Sequence, residues 1–209
     1  MMKLVAIALL VGGCSVVVET CCVPKQWECF YGGQNATFMD GKIDVSATSA
    51  MHSFDFVSKK LAFIGQDYKI VQDYNKMMQY TIIQGHCTAV KLAAPIHDCL
   101  PASAIVASSL DMGGPDGVVI DVYDVGKIAP EYMYKGTYSV NHDGCIPFSE
   151  TLMTDGSIFT LAYINITSGI KDPSVFDVPS PPCPKDTDNF VNLLQEQPTP
   201  SWPILPKLP

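Results

Sequence analysis

Apolar and polar residues alternate with a period of two along much of the chain, and turn residues interrupt that alternation about every ten positions. The interruptions are Gly32-Gly33, Asp40-Gly41, residues 73–75, Gly113-Gly114-Pro115, Asp116-Gly117, residues 141–144 and Asp155-Gly156. Short strands are predicted between them, at 118–123 and 157–166 where β-branched and aromatic residues gather, with 58–65, 68–74, 77–83 and 87–92 extending an antiparallel meander. Asp40-Gly41 separates Ala36-Thr37-Phe38-Met39 from Lys42-Ile43-Asp44-Val45, and Asp-Gly supplies the positive φ that a type I′ hairpin turn requires. From Tyr132 the alternation puts Tyr132, Tyr134, Tyr138 and Val140 on one face, against Met133, Lys135, Thr137 and Ser139 on the other. Helix is scarce. Its two candidates are the Ala-rich 101–110 and 187–195, where Thr187 would cap and Phe190, Leu193 and Leu194 make an apolar stripe. The expected class is mainly β (α+β), in one domain.

The two ends read differently from the body. Lys3 and the apolar run 4–11, closed by Gly12 and Gly13, predict a secretory signal peptide over 1–15, with cleavage after Ser15 or as late as Thr20. The run is too short to cross a bilayer, and no later segment is long enough, so no transmembrane segment is expected. Val11-Gly12-Gly13-Cys14 also resembles a bacterial lipobox, against which two glycosylation sequons weigh. Residues 198–209 are Pro-rich and predict an extended tail, which leaves 16–197 as the expected folded domain.

Charge narrows the partners. The 209 residues carry 13 Lys, no Arg and 21 acidic residues, a net charge of -8. An acidic chain without Arg lacks the bidentate fork that reads guanine and clamps phosphate, so nucleic acid is not an expected partner. With 47% apolar residues, nine Phe and nine Tyr, the chain can bury a core large enough to offset the entropy of ordering it.

Catalytic signatures are absent: there is no G-x-S-x-G elbow, HExxH, P-loop or Rossmann glycine fingerprint. Three His-Cys neighbourhoods, His86-Cys87, His97-Asp98-Cys99 and His142-Asp143-Gly144-Cys145, superficially suggest a thiol nucleophile and its base. In an oxidising compartment the same cysteines read as half-cystines, which cannot attack anything. Seven cysteines remain after the signal, Cys21, Cys22, Cys29, Cys87, Cys99, Cys145 and Cys183, an odd number that allows three bridges and one thiol in many connectivities. Asp111, Asp116, Asp121 and Asp124 cluster around a Gly-rich turn whose carbonyls could join an oxygen cage, and Asp111 and Asp116 are the calcium candidates. Asn35-Ala36-Thr37 and Asn165-Ile166-Thr167 are sequons. Asn35 lies near a turn, whereas plain alternation would put Asn165 on the face of Phe159, Leu161 and Tyr163, where a glycan conflicts with burial unless a bulge intervenes.

Three stretches together are similar to one known family. Cys22-Val23-Pro24-Lys25-Gln26-Trp27-Glu28, the mid-chain Gly113-Gly114-Pro115, and Gly169-Ile170-Lys171-Asp172-Pro173-Ser174-Val175-Phe176 followed by Cys183 resemble the ependymin-related proteins in order and spacing over nearly the whole mature chain. The resemblance implies a secreted glycoprotein on a curved antiparallel β-sheet half-barrel backed by a few helices, similar to bacterial lipoprotein carriers, with a deep apolar pocket. It further implies lipid or other hydrophobic ligands, calcium as a possible cofactor with no organic one, and homodimers. The setting implied is extracellular, in cell-matrix adhesion, in lysosomes or in a shell matrix. Residue by residue, it pairs Cys22 with Cys145 and Cys87 with Cys183. The family's further bridge near the C-terminus has no counterpart here, so Cys29 to Cys99 is the remaining expectation, leaving Cys21 odd.

Such a sheet presents more apolar area than two helices cover, so an acyl-type ligand is expected to fill the hollow. The expected lining is Val118, Ile120 and Val122, Tyr132, Tyr134 and Tyr138, and Phe159, Leu161 and Tyr163, with the opposite alternation as the fallback. The competing expectation is that these side chains close a dry core, in a structural matrix glycoprotein without a small ligand.

Overall fold

The structure, a computed structural model, describes residues 21–92, 95–100, 104–114, 116–124, 135–154, 156–179 and 183. The signal at 1–15, Tyr132 and Tyr134, the helix expected at 187–195 and the tail at 198–209 lie outside the described residues. Eleven strands follow in chain order: β1 (Gln26–Met39), β2 (Lys42–Asp55), β3 (Lys60–Ile64), β4 (Tyr68–Asp73), β5 (Met78–Ile83), β6 (His86–Lys91), β7 (Val106–Met112), β8 (Val118–Asp124), β9 (Lys135–Asn141), β10 (Pro147–Met153) and β11 (Ser157–Ser168). They form one antiparallel sheet in the order β6-β5-β4-β3-β2-β1-β11-β10-β9-β8-β7. The first and last strands meet at its centre. The strands that adjoin in sequence across the middle of the chain, β6 and β7, lie at opposite edges.

Asp40 and Gly41 take φ of 50° and 73° and close the β1–β2 hairpin, which runs unbroken from Gln26 opposite Asp55 to Met39 opposite Lys42. Gly32-Gly33, expected as a turn, instead lies inside β1. A Cβ on Gly33 would stand 2.7 Å from Leu161 Cδ2 and 3.1 Å from the Thr160 carbonyl, so the bare glycine is what lets β11 approach. Gly113 and Gly114, at φ of 93° and 85°, turn the chain from β7 into β8.

The sheet curls around its inner face, where one core joins Phe63 and Ile70 of β3 and β4 to Tyr123 and Tyr138 of β8 and β9. Over that face the hydroxyls of Tyr31 on β1 and Tyr68 on β4 lie 3.1 Å apart, the Tyr68 ring leaning over Gly65. The connection from Lys91 to Val106 crosses from one edge to the other, a span of roughly 48 Å if the sheet were flat. That connection is not stretched over the surface: Leu92, Ile96 and Leu100 are buried in the same core as Trp27, Phe54, Leu61, Tyr138 and Leu161. The described residues of this strap, 92, 95–100 and 104–105, therefore place Leu92, Ile96 and Leu100 in the hollow of the curled sheet.

The opposite, outer face is covered at its β3–β6 end. After β11 the chain turns at Gly169, whose N–H bonds the Gln26 carbonyl, and enters a single 3₁₀ turn at Pro173–Phe176. Asp172 caps it, its carboxylate accepting from Ser174 N at 3.0 Å and Ser174 Oγ at 2.9 Å. Phe176 then buries against Ala62, Val71, Tyr80 and Ala89, a burial of roughly 2 to 3 kcal/mol. That turn is the helical element among the described residues, so the expected backing of helices is not found there. The helix expected at 101–110 is corrected as well, since Val106–Met112 is β7, paired with β8. Pairing with a neighbouring strand outweighs the weak helix preference of three alanines.

The disulfides tie the ends to this frame, with sequence separations of 124, 77 and 96: Cys21–Cys145, Cys22–Cys99 and Cys87–Cys183. Cys87–Cys183 is the pairing the resemblance implied, but Cys145 takes Cys21 rather than Cys22, and Cys99 takes Cys22 rather than Cys29. Cys29, not Cys21, is left as a thiol. Cys22 and Cys99 form a β-bridge, flanked by bonds from Val23 N to the Asp98 carbonyl and from Leu100 N to the Cys21 carbonyl. That local register brings Cys22 against the strap and leaves its neighbour for the β9–β10 turn.

Candidate ligand-binding face

Directly opposed residues in an antiparallel sheet share a face, so the register assigns every side chain. The inner face carries Trp27, Cys29, Tyr31 and Gly33 of β1, Phe54, His52 and Ala50 of β2, Leu61 and Phe63 of β3, and Tyr163, Leu161 and Phe159 of β11. Glu150 and Leu152 of β10, Tyr138 and Val140 of β9, and Asp121 and Tyr123 of β8 continue it. Of the expected lining, Tyr138, Phe159, Leu161 and Tyr163 are on this face and buried in its core. Val118, Ile120 and Val122 are not: they oppose Met112, Leu110 and Ser108 on the outer face, and Val118 is 47% exposed. Tyr123 and Asp121 take their place.

Asp121 misled the alternation because it is an acid on the inner side. It is buried with both oxygens bonded, Oδ1 accepting from Ser109 Oγ at 2.6 Å and Oδ2 lying 2.7 Å from His142 Nδ1. Beside that carboxylate the His142 ring holds its proton more tightly than usual.

Glu150 is the second acid of the inner face. It is 2% exposed, opposes Tyr138 and Leu161, and accepts a bond of 3.2 Å from the Tyr163 hydroxyl. Burial pushes its carboxyl up to about 7 and pushes the Tyr138 and Tyr163 hydroxyls far above their usual range.

Cys29 and His52 are cross-strand partners, both buried, which places a free thiol beside an imidazole. The pair is electrically inert. Desolvation holds the thiol at about 12 and lowers the imidazole to about 3, so a proton would have to pass from a very weak acid to a very weak base. Neither nitrogen of His52 has a hydrogen-bond partner, and Trp27 Nε1 also lacks one. The His52 ring stacks on Phe63 at 4.6 Å between centroids and meets the Trp27 ring edge-on at 4.8 Å. Nothing in the sequence marked this histidine, which sits in a strand between Met51 and Ser53.

Asp111 and Asp116 are both exposed, on β7 and in the turn after it. Among the described residues no three His, Cys, Asp or Glu side chains stand together as a metal cage. Asn35 lies within β1 on the inner face, opposite Ser46 and Phe159, and is half-buried. At Asn165 the register slips, with Asn165 and Ile166 standing against Cys29 alone; Asn165 adopts φ of 54° and is exposed. The bulge removes the conflict between a glycan there and burial of Tyr163.

The chain is similar to known proteins at three levels. A solved LolA superfamily protein from Nitrosomonas europaea is 9% identical and is covered over 93% of its length by 76% of this chain, at a TM-score of 0.34. Ependymin-related protein 1 of Haliotis asinina is 25% identical, over 82% of this chain and 95% of its own. Development-specific protein LVN1.2 of Lytechinus variegatus is 27% identical, over 67% and 83%. The family model described as Ependymin matches residues 64–183, from the last residue of β3 to the half-cystine bonded to β6. With more than half of its length under that match, the chain belongs to the ependymin family.

Proposed function

We propose that this protein is a secreted, non-enzymatic binder of hydrophobic molecules, which it holds against the inner face of the curled sheet. The supporting observation is the continuity of that face: aromatic and aliphatic side chains from β1–β4 and β8–β11 form one apolar wall. A ligand burying ten to sixteen methylenes there removes ~0.8 kcal/mol of exposure for each, before association costs take back a large part, so micromolar binding needs no charged contact. Three disulfides in a chain of this size suit an oxidising compartment, in keeping with the leader expected at the N-terminus. Among the described residues no helix is long and apolar enough to cross a membrane.

The rival is a structural matrix glycoprotein that closes its own core. Leu92, Ile96 and Leu100 favour it, since the strap already occupies part of the hollow. Calcium and cell-matrix adhesion are secondary proposals, and exposed Asp111 and Asp116 would hold calcium only weakly. Homodimerisation is likewise proposed on family grounds alone.

Native mass spectrometry of protein secreted by a eukaryotic host, before and after delipidation, separates the two readings. A copurifying lipid, or uptake of a fluorescent fatty acid or phospholipid by delipidated protein, supports the binder. A single apo mass together with no uptake of any probe decides for the closed core.

A further inference from the structure

Two polar side chains of the inner face are buried with nothing to bond. His52 is 0% exposed with Nδ1 and Nε2 both unpartnered, and Trp27 is 3% exposed with Nε1 unpartnered. Burying such an atom unbonded is costly, and buried polar side chains go without a partner so rarely that three atoms on two touching rings need a reason. They adjoin because Trp27 and His52 meet edge to face at 4.8 Å, on neighbouring strands and on the hollow side of the sheet. The bonds they lack define a complement. Trp27 Nε1–H needs an acceptor, and a neutral imidazole needs one donor and one acceptor.

We infer that Trp27 and His52 form a polar subsite that receives an uncharged hydroxyl carried on an otherwise apolar molecule. A hydroxyl accepts from the indole N–H while donating to an imidazole nitrogen, or accepts from both rings. A carboxylate can only accept, and it would have to shed its water among Phe54, Phe63 and Tyr163, which surround the two rings at centroid distances of 4.6 to 6.3 Å. It would also approach a second acid, since the Tyr163 hydroxyl bonds Glu150. The subsite thus prefers alcohols to fatty acids of the same length, and it rests on the hydrophobic-binder reading while adding the group that the hollow selects.

The test compares tetradecan-1-ol, its methyl ether and tetradecanoate, with a 3-hydroxysterol and its methyl ether as a ring-bodied pair, on the full secreted chain. Trp27 emission reports binding in a Trp202→Phe background. The expected result is that the alcohol binds about tenfold more tightly than the ether and the carboxylate, as one recovered buried hydrogen bond requires. Whichever body, straight or ringed, shows the larger hydroxyl preference identifies the ligand's source. In His52→Leu the ratio of alcohol to ether affinity should fall to within twofold. Alcohol and ether within twofold of each other in the wild-type protein overturn the subsite and leave the binder reading intact, and this comparison needs no variant. A preference that survives His52→Leu also overturns it. Failure of every probe to bind overturns the subsite and the binder reading together.

Discussion

The carboxyl group of Glu28 accepts the backbone N–H of Lys171 at 3.3 Å, across 143 residues of sequence, while its other oxygen accepts from Ser53 Oγ at 3.2 Å. Glu28 lies on the outer face of β1, one residue after Trp27 faces inward. The Trp-Glu dipeptide therefore serves both sides of the sheet at once, the indole in the hollow and the carboxyl under the chain that leads into the 3₁₀ turn.

Glu28→Ala should leave Ser53 and the Lys171 amide without a partner and cost about 1 to 3 kcal/mol. Hydrogen exchange should rise first at residues 169–177, before the β1–β2 hairpin loosens, and Glu28→Gln, which keeps an acceptor, should show a smaller change. Unaltered exchange at 169–177 in the alanine variant would show that Phe176 and Cys87–Cys183 hold the segment without Glu28.

Glu150 sets a pH dependence. Its carboxyl is raised to about 7 in the fold, so from about pH 4.5 to 7 the unfolded chain has lost a proton that the folded chain keeps, and stability falls with rising pH before levelling off. Glu150→Gln removes that penalty. Urea denaturation should find the variant more stable than the parent by up to about 3 kcal/mol at pH 8, with the gap closing near pH 4.5. A constant difference at both pH values would exclude Glu150 as the titrating group.

Non-reducing peptide mapping should recover Cys21–Cys145, Cys22–Cys99 and Cys87–Cys183. Cys29, with its thiol at about 12, should alkylate on the order of a thousandfold more slowly in the folded protein than in urea at pH 8. Rapid native alkylation at Cys29 would mean that the inner face is open to water there.

Asn165 should carry a glycan despite its place in a strand, because the bulge turns it outward. Thr167→Ala should remove one glycan mass, whereas Thr167→Ser, which keeps the sequon and the hydroxyl that donates to the Glu28 carbonyl, should retain it. Substituting Asn165 with Val should instead destabilise, since a β-branched residue fits poorly at φ of 54°.

Strands and turns were legible where one physical cause dominated. Asp40-Gly41 fixed a hairpin, and the alternation through Tyr138, Phe159, Leu161 and Tyr163 fixed an inner face. The alternation failed at 118–123, where apolar residues occupy both phases and the acid that should have marked the wet side, Asp121, is satisfied internally by Ser109 and His142. Cys21 and Cys22 could not be told apart by spacing, because adjacent residues of an extended chain point opposite ways and only the bridge to Cys99 decides which faces the strap. Asn165 shows the same limit, since a slip of one residue depends on how two distant strands register. His52 carried no signal at all. Its significance lies in what its nitrogens lack, which only the packing around it defines.

The disulfide pattern also decides how the protein would behave under tension. A pull applied at Cys22 and Cys183 does not travel along the roughly 160 intervening residue steps, because it short-circuits through Cys22–Cys99 and Cys87–Cys183. The contour left to yield is the stretch from Cys87 to Cys99, roughly 40 Å when fully drawn out, against roughly 550 Å for the unbridged chain. That stretch holds β6 and the buried side chains of Leu92 and Ile96, so the part of the fold that gives way first is an edge strand and two residues of the inner core. Under load the protein would act as a nearly inextensible link whose small compliance lies in one edge strand and in the side chains packed beside it against the inner face.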